Sequence, residues 1–387
     1  MHFNVRLPQT IPPAICVHLS PRVDTGRSIP SVAFMRTSSS PDRVINCLWE
    51  QDVKRICLLA AVTIASTLYA CGGSTDVTGS PVTNIPSSVQ PTASSYSLSV
   101  FAPAQRSLRP DDILQLGSTV FIIYQDNNNL PDGTLAPGVV AAQSEVIEFD
   151  LNGNILQTFD VPGHPDGLVA YNADTVWVGS NEDANPVISV IDTATNGVNI
   201  LTSDVATLPH GGGLDDMQLI NGVVYASASN PTTTSTPTPS MSPYSTDSSG
   251  ATSQYGVNTG LVLYAISLNS DGSTLHATPV LMSSTAATLL PANMPVTLNL
   301  TDPDSSAIDP NGSLVIDSQQ DSELVFVKDV GTGSQTVDVL PLTLYGNPWP
   351  VDDTRWSPAS GTSFMLLSDN KQQVVYRIDA AGGLARS

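Results

Sequence analysis

The chain has 387 residues, with 35 acidic residues against 14 lysines and arginines and a formal net charge of −21 at pH 7. Seven of the basic and four of the acidic residues lie in the first 70 positions, so residues 71–387 carry 7 basic and 31 acidic residues, a charge of −24. So acidic a surface repels phosphate backbones, which excludes nucleic acid as a partner and favours cationic partners, divalent metals included.

The first 52 residues fit neither the export signal nor the strand repeats that follow them. Residues 1–52 carry scattered arginines and prolines and little apolar period. Because an export signal should start a chain, we interpret them as a non-native extension produced by a wrongly assigned start codon, or else as a disordered extension.

An export signal follows at 53–70. Lys54-Arg55 precedes the apolar run Ile56–Leu68 and a small residue before Cys71. This is the pattern of a secretory signal, and the run is shorter than the ~20 residues of a spanning helix. Leu68-Tyr69-Ala70-Cys71 resembles the lipobox of bacterial lipoproteins. The resemblance implies that Cys71 is lipidated and becomes the mature N-terminus. The alternative is an ordinary cleaved signal.

Residues 71–95 are rich in Ser, Thr, Pro and Gly and predict a flexible tether. Together with a lipidated Cys71, they predict a protein of the bacterial cell envelope that contacts the membrane only through its lipid anchor. It would lie at the outer membrane or face the periplasm.

Residues 96–387 contain five copies of one module. Each copy has a leading aspartate after a loop, an apolar stretch, a Gly or Asn turn, and alternating strands separated by polar turns. The leading aspartates are Asp111, Asp166, Asp215, Asp304 and Asp352. A strand-built repeat of this length predicts an all-β fold, a β-propeller with four-stranded antiparallel blades.

The number of blades depends on how the ring closes. A fourth strand fits after each of the first four copies, but the fifth copy ends soon after Gly382. We expect Tyr96–Phe101 to supply its outer strand, which would leave no open sheet edge. This arrangement predicts five blades. The alternatives are a sixth, degenerate blade or a truncated chain of six or seven blades. They stay open because each of five blades would be longer than the ~40–50 residues of common propeller repeats.

The interval between the leading aspartates Asp215 and Asp304 is longer than the others. Residues 230–258 form a Ser/Thr/Pro-rich tract without an apolar period. Such a tract lacks the apolar surface needed to fold, so we interpret it as a loop inserted into the third blade, dispensable for folding.

The leading aspartates are the strongest candidate site. Each precedes a first strand, and first strands line the channel of a propeller, so the aspartates should gather at one rim, together with Asp112, Asp216 and Asp353. Converging carboxylates bind Ca²⁺ or another divalent cation. The competing interpretation is local, since an aspartate before a strand also caps a turn through its own side chain.

Two histidines precede leading aspartates and are candidate catalytic residues. His164 stands two residues before Asp166, and His210 stands five before Asp215. An imidazole at the rim could ligate a metal or act as a general base. The competing interpretation is a hydrogen-bonded loop histidine.

At these residues the sequence resembles a known family. Pro165-Asp166-Gly167-Leu168 and Asp309-Pro310-Asn311-Gly312 are similar to segments of NHL-type propeller repeats. Similar blades occur in gluconolactonase-like and streptogramin-lyase-like proteins. The resemblance implies a channel that holds a divalent cation, through Glu, Asn and Asp in the lactonase relatives, and dependence on His and Mg²⁺ in the lyase relatives.

Two functions from different classes fit the sequence. The first is a lipid-anchored module that binds a protein, glycan or peptide on its rim without chemistry. The second is a divalent-metal-dependent lyase or hydrolase acting in the channel. The geometry at His164, His210 and the leading aspartates should separate them.

Lipidation makes the first testable prediction. Replacing Cys71 by serine should move the protein from the membrane fraction to the soluble exported fraction, because the acyl chains supply the anchor. Mass spectrometry of the mature N-terminus checks this. An unmodified chain that begins upstream of position 53 would contradict the prediction.

Overall fold

A computed structural model describes residues 96–105, 108–203, 208–229, 245–246, 248–253, 256–258, 260–356 and 364–380, and the short strands at 2–3, 15–18 and 45–46. Over these ranges the protein is all-β, and no helix there is long and apolar enough to cross a bilayer. Cys71, the signal and the tether lie outside them.

The first two copies of the module each form one four-stranded antiparallel sheet, or blade. Blade 1 has the strands Arg109–Leu116, Thr119–Gln125, Ser144–Asp150 and Ile155–Val161. Blade 2 has the strands Pro165–Asn172, Thr175–Ser180, Val187–Asp192 and Gly197–Ser203.

The next two copies form blades 3 and 4. Blade 3 has the strands Met217–Ile220, Val223–Ser227, Leu261–Leu268 and Thr274–Met282. Blade 4 has the strands Pro303–Ile308, Leu314–Ser318, Glu323–Lys328 and Thr336–Pro341. Blade 3 also joins blade 2 through a short parallel pairing of their outer strands at Thr202 and Ser203.

Blade 5 closes the ring. Its strands are Asp353–Trp356, Phe364–Asp369, Val374–Ala380 and Tyr96–Ala102. The outer strand comes from the beginning of the propeller and pairs antiparallel with Val374–Ala380, as predicted. The innermost strand also pairs with Ile15–His18, from a segment that the sequence analysis leaves outside the fold. His2–Phe3 pairs with Ile45–Asn46.

The five inner strands contact one another in chain order around a central channel. Contacts link blade 1 to 2, 2 to 3, 3 to 4 and 4 to 5, and the second strand of blade 5 contacts the inner strand of blade 1. The described residues therefore form a closed five-bladed propeller.

Apolar side chains fill the space between neighbouring blades. The middle strands are buried on both faces, because each blade is covered by a neighbour on either side. Phe121 clusters with Val176 of blade 2, while the next residue, Ile122, clusters with Val375 of blade 5. Fully burying each such side chain contributes about 1.5–3 kcal/mol, so these layers between blades stabilise the ring.

Two features account for the long interval before blade 4. A hairpin, Ala286–Leu289 with Met294–Thr297, pairs in parallel with the outer strand of that blade. The sequence analysis did not place it. Within the predicted loop, Ser245–Thr246 pairs with Thr252–Ser253. One further pair of two-residue strands follows blade 4, where Thr343–Leu344 pairs with Asn347–Pro348.

The end of the predicted loop is packed onto the propeller. Asn258 is 1% exposed, its Nδ2 donates to the Leu300 carbonyl at 2.8 Å, and its own carbonyl accepts from Ser283 Oγ at 2.7 Å. Residues 230–244 lie outside the described residues. Dispensability of the whole tract 230–258 does not fit the buried hydrogen bonds of Asn258, and for 230–244 it stays a prediction.

A pair of deletions tests this boundary. Replacing residues 231–244 by a short Gly/Asn turn should leave the melting temperature almost unchanged, because a doubling of loop length costs only ~0.6 kcal/mol. Extending the deletion through Asn258 should lower it, because each lost buried hydrogen bond costs about 1 kcal/mol. Thermal unfolding of both variants measures the difference. Unfolding caused by the shorter deletion would contradict the assignment.

Candidate metal centre at the channel mouth

The inner strands enclose a cavity of about 1000 Å³. Its lining changes along the strands, which begin with aspartates and continue with apolar residues. The carboxylates therefore define one end, here called the channel mouth. Deeper walls include Ile113, Leu168, Leu219 and Ile308.

Consecutive aspartates at the mouth have different roles. Asp112 Oδ1 accepts from the Ile113 backbone N–H at 2.7 Å, and its Oδ2 accepts from the Leu168 N–H of blade 2 at 2.8 Å. Asp112 thus caps its own strand and bonds the next blade. The preceding residue, Asp111, lines the cavity, and so does Asp112.

Blade 3 repeats this arrangement. Asp216 Oδ1 accepts from the Met217 N–H at 2.6 Å, and its Oδ2 accepts from the Ser306 N–H of blade 4 at 2.9 Å. Asp215, like Asp111, lines the cavity. The turn-capping interpretation therefore holds for Asp112 and Asp216, whereas Asp353 pairs with Arg355. The first aspartate of each pair lines the cavity.

Blade 2 has glycine at the second position because the backbones meet there. A Cβ on Gly167 would lie 2.6 Å from both the Asp215 carbonyl oxygen and the Asp216 Cα. These are backbone atoms that cannot move aside cheaply, so a side chain at 167 would force the inner strands apart.

Arg355 joins blade 5 to its neighbours. Its Nη2 lies 3.1 Å from Asp112 Oδ1, its Nη1 donates to the Ser306 carbonyl at 3.0 Å, and it pairs with Asp353. Burial alone would lower the pKa of Arg355, but Asp353 and Asp112 raise it above its usual value. The guanidinium thus pairs with the second aspartates of two blades, Asp353 of blade 5 and Asp112 of blade 1.

Five acidic and imidazole side chains approach to metal-ligand distances. They form two groups, and within each group the ligand atoms all lie within 4.8 Å of one another. The first group is His164, Asp166 and Glu182, and the second is Glu182, Asp215 and Asp304. Three of the predicted metal ligands therefore belong to these groups, and Glu182 belongs to both.

The loop that carries Glu182 is held on both sides. The Asn181 N–H donates to the His164 carbonyl at 2.6 Å, and the His164 N–H donates to Asn181 Oδ1 at 2.9 Å. The Gly213 N–H donates to the Glu182 carbonyl at 3.0 Å. These bonds fix the backbones of both His164 and Glu182. The imidazole is oriented further by Asp166, whose Oδ1 lies 2.9 Å from His164 Nδ1.

The other two predicted metal ligands lie in the cavity wall but in neither group. Gln125 Nε2 donates to Asp111 Oδ2 at 3.1 Å and to Asp166 Oδ1 at 2.9 Å, so it bridges two leading aspartates. Gln319 Nε2 donates to Asp352. Amide donors thus hold both outlying carboxylates.

His210 does not line the channel. Its Nε2 lies 2.7 Å from the Gly213 carbonyl and must donate to it, so its Nδ1 accepts from Tyr264 Oη at 2.9 Å. Burial lowers the pKa of His210. Both ring nitrogens are engaged in a neutral, buried imidazole, which fits the interpretation as a hydrogen-bonded loop histidine. Of the two candidate histidines, only His164 joins the ligand groups.

Burial and mutual repulsion disfavour the charged forms of several carboxylates. Burial, followed by the charge of Asp166, holds the pKa of Asp111 well above its usual value. Burial and then Asp304 do the same for Asp215. Burial and the charge of Asp112 raise the pKa of Asp216 to about 7, in spite of Arg355.

His164 is subject to opposing influences. Burial lowers the pKa of His164, but the charge and hydrogen bond of Asp166, together with the charges of Glu182 and Asp183, raise it, and the net shift is upward.

Glu182, Gln125 and Gln319 were not predicted from the sequence. Gln125 ends the second strand of its blade, and Glu182 and Gln319 follow closely after theirs. The second strand returns to the mouth because the hairpin reverses the chain. The signal was therefore present, as a polar residue at the end of each second strand. It was hidden because the residue type differs from blade to blade.

Comparisons with known proteins give no family. No family model matches the sequence, and no curated protein sequence matches it. Among solved structures, the chain is similar to a protein of unknown function from Bacteroides caccae, at 9% identity and a TM-score of 0.36, over 68% of this chain and 69% of that one.

Two lyase structures are also similar. One is a catalytically inactive virginiamycin B lyase from Staphylococcus aureus with quinupristin, at 11% identity and a TM-score of 0.32, over 73% of this chain and 99% of that one. The other is a streptogramin B lyase, at 10% identity and a TM-score of 0.29, over 74% and 98%. At these scores the likeness carries no argument about function, which must come from the site.

The raised pKa values predict how stability depends on pH. A carboxyl whose pKa is higher in the folded than in the unfolded state stabilises the fold at low pH and loses that contribution as pH rises through the folded value. With chelator present, the melting temperature should therefore fall by about 2 °C between about pH 6.5 and about pH 8.5, because Asp216, whose pKa is raised to about 7, completes its loss of the proton in this window.

Calorimetry in matched buffers measures this effect. The window avoids lower pH, where charging of buried His210 would destabilise the fold in the opposite sense. A melting temperature that is flat or rises across the window would contradict the account of the mouth.

Proposed function

We propose that this protein is an exported β-propeller that binds a divalent cation at its channel mouth and uses it to hold an oxygen-bearing ligand. One observation carries the proposal: two groups of metal-ligand side chains, each within 4.8 Å, stand at the end of a cavity of about 1000 Å³.

The chemistry of the donors supports a hard cation. Carboxylate oxygens suit Ca²⁺, Mg²⁺ and Mn²⁺, and a single imidazole is compatible with Mn²⁺. Asp215, Asp304 and Glu182 are 3%, 6% and 8% exposed. Buried carboxylates at such distances repel one another strongly, and a bound cation would offset that repulsion.

The cavity favours a ligand with two unlike parts. At the mouth, a cation would coordinate a carbonyl, carboxylate or hydroxyl oxygen. Below it, Ile113, Leu168, Leu219 and Ile308 offer an apolar wall for the body of the ligand. A peptide or glycan fragment has both features. Lipidation of Cys71 would hold the channel near the membrane surface at the end of a flexible tether.

A second candidate is a metal-dependent lyase or hydrolase, which His164 favours. Its imidazole belongs to the first ligand group, and its Nδ1 faces Asp166 Oδ1 at 2.9 Å. A cation there would polarise a carbonyl, and an imidazole beside it could transfer a proton. Binding and catalysis therefore share one site and differ in what His164 does.

The stability of the protein with and without cation tests the proposal. Adding Ca²⁺ or Mn²⁺ should raise the melting temperature and chelator should lower it. Binding to the folded state alone contributes about 2.7 kcal/mol at a hundredfold excess over Kd. The double variant Asp166→Asn with Asp215→Asn should keep the fold and lose the shift.

Two controls sharpen the test. The double variant Asp160→Asn with Asp174→Asn, which neutralises exposed carboxylates outside the cavity lining, should keep the shift. NaCl screens charge without binding a site, so it should reproduce little of the effect. If NaCl reproduced the whole rise in melting temperature, the mouth would be an acidic surface without a specific cation site.

The fate of a captured ligand separates the two candidates. Recovery of the ligand unchanged supports binding alone, whereas recovery of a product supports the enzyme. In the second case His164→Gln should abolish turnover while ligand capture persists.

A further inference from the structure

We infer that the channel mouth holds two divalent cations, with Glu182 as the ligand that both share. The inference rests on the proposed function, because it concerns the same site, and it goes further by giving the number of ions and the class of ligand.

The geometry divides the ligands into two sets. Atoms bound to one Ca²⁺ lie about 2.3–2.6 Å from it, so two ligands of the same ion can be no more than about 5 Å apart. Each group of three meets this limit. The five side chains form two such groups rather than a single group of five, and they meet at Glu182. A carboxylate has two oxygens and can bridge two ions.

The two groups also differ in chemistry. The first offers an imidazole and two carboxylates, and the second offers three carboxylates. Mixed nitrogen and oxygen donors suit transition metals, while oxygen donors alone suit Mg²⁺, Ca²⁺ and Mn²⁺. Mn²⁺ is compatible with both sets and is therefore the probe of choice.

Asp215 supplies an independent indication of a missing partner. Its side chain is 3% exposed, and its Oδ2 accepts no hydrogen bond from any described residue. Leaving a buried acceptor unpaired is costly. The carboxylate belongs to the second group, with Glu182 and Asp304, so a cation in that group would satisfy it.

The carboxylates at the mouth differ in their protein partners. The two groups contain four carboxylates. Asp112 and Asp353 are paired with Arg355, and glutamine amides bond Asp111 and Asp352. Within the two groups, Gln125 and His164 also bond Asp166, so the inference depends on the spacing of the ligand atoms and not on a count of charges.

The presence of two ions would narrow the class of ligand that the mouth can bind. Bridged cations in proteins lie about 3.5–4 Å apart and hold two oxygens of one group between them. A carboxylate or phosphate group has this form. We therefore expect an anionic ligand at the mouth of this acidic protein, recruited through the metal pair.

The test combines metal counting with paramagnetic resonance. Purified full-length protein is stripped with chelator, loaded with Mn²⁺ and desalted, and manganese is measured per chain by elemental analysis. We expect two ions per chain. Because the ions would share a carboxylate, their spectrum should show exchange coupling instead of the hyperfine pattern of isolated Mn²⁺.

Variants assign each ion to its group. Asp304→Asn should leave one ion and restore the isolated pattern, and Asp166→Asn should do the same through the other group. Glu182→Gln should weaken both sites. Asp352→Asn, which neutralises a carboxylate of the same cavity outside both groups, is the matched control and should keep two coupled ions. Circular dichroism confirms that each variant is folded.

The outcomes separate the two claims. Two coupled ions that respond to the variants in this way support the inference. One ion per chain, or two without coupling, overturns the shared ligand and leaves the proposed cation-dependent function standing. No bound ion overturns both. Loss of an ion in Asp352→Asn as well would show that the groups are wrongly assigned.

Discussion

The architecture depends on the close approach of five inner strands around one narrow channel. Where two strands meet at the mouth, a side chain can bond the neighbouring blade, enter the channel, or do both. Asp112 accepts a hydrogen bond from Leu168 of the next blade, and Asp216 accepts one from Ser306. The residues before them face the cavity. A repeated Asp-Asp pair thus both holds the ring together and fills its mouth with charge.

The two effects oppose each other energetically. Apolar layers between blades, with residues such as Trp177 and Phe121 almost fully buried, stabilise the ring. The carboxylates at the mouth destabilise it when they are charged, and the raised pKa values of Asp111 and Asp215 express that cost. A protein organised in this way uses the stability of its blades to keep acidic groups close together, which is what a cation site requires.

The fold was largely predictable from the sequence, and the site only in part. Alternating strands and turn residues repeat, so the blades and the closing strand Tyr96–Ala102 followed from pattern. The hairpin at Ala286–Leu289 did not, because it occurs in one copy alone. Nor did Glu182, which stands in a loop whose position depends on hydrogen bonds to His164 and Gly213 from distant parts of the chain. A repeated sequence pattern predicts the structural features that all blades share, whereas a binding site depends on residues that differ from blade to blade.

The central claim is that the channel mouth is a cation site and not merely an acidic surface. Anomalous diffraction from crystals soaked in Mn²⁺ near neutral pH tests it most directly. The account predicts anomalous density within about 2.0–2.6 Å of carboxylate oxygens of both ligand groups, on either side of Glu182. Crystals in which the mouth lacks such density, while Mn²⁺ binds elsewhere on the surface, would contradict it.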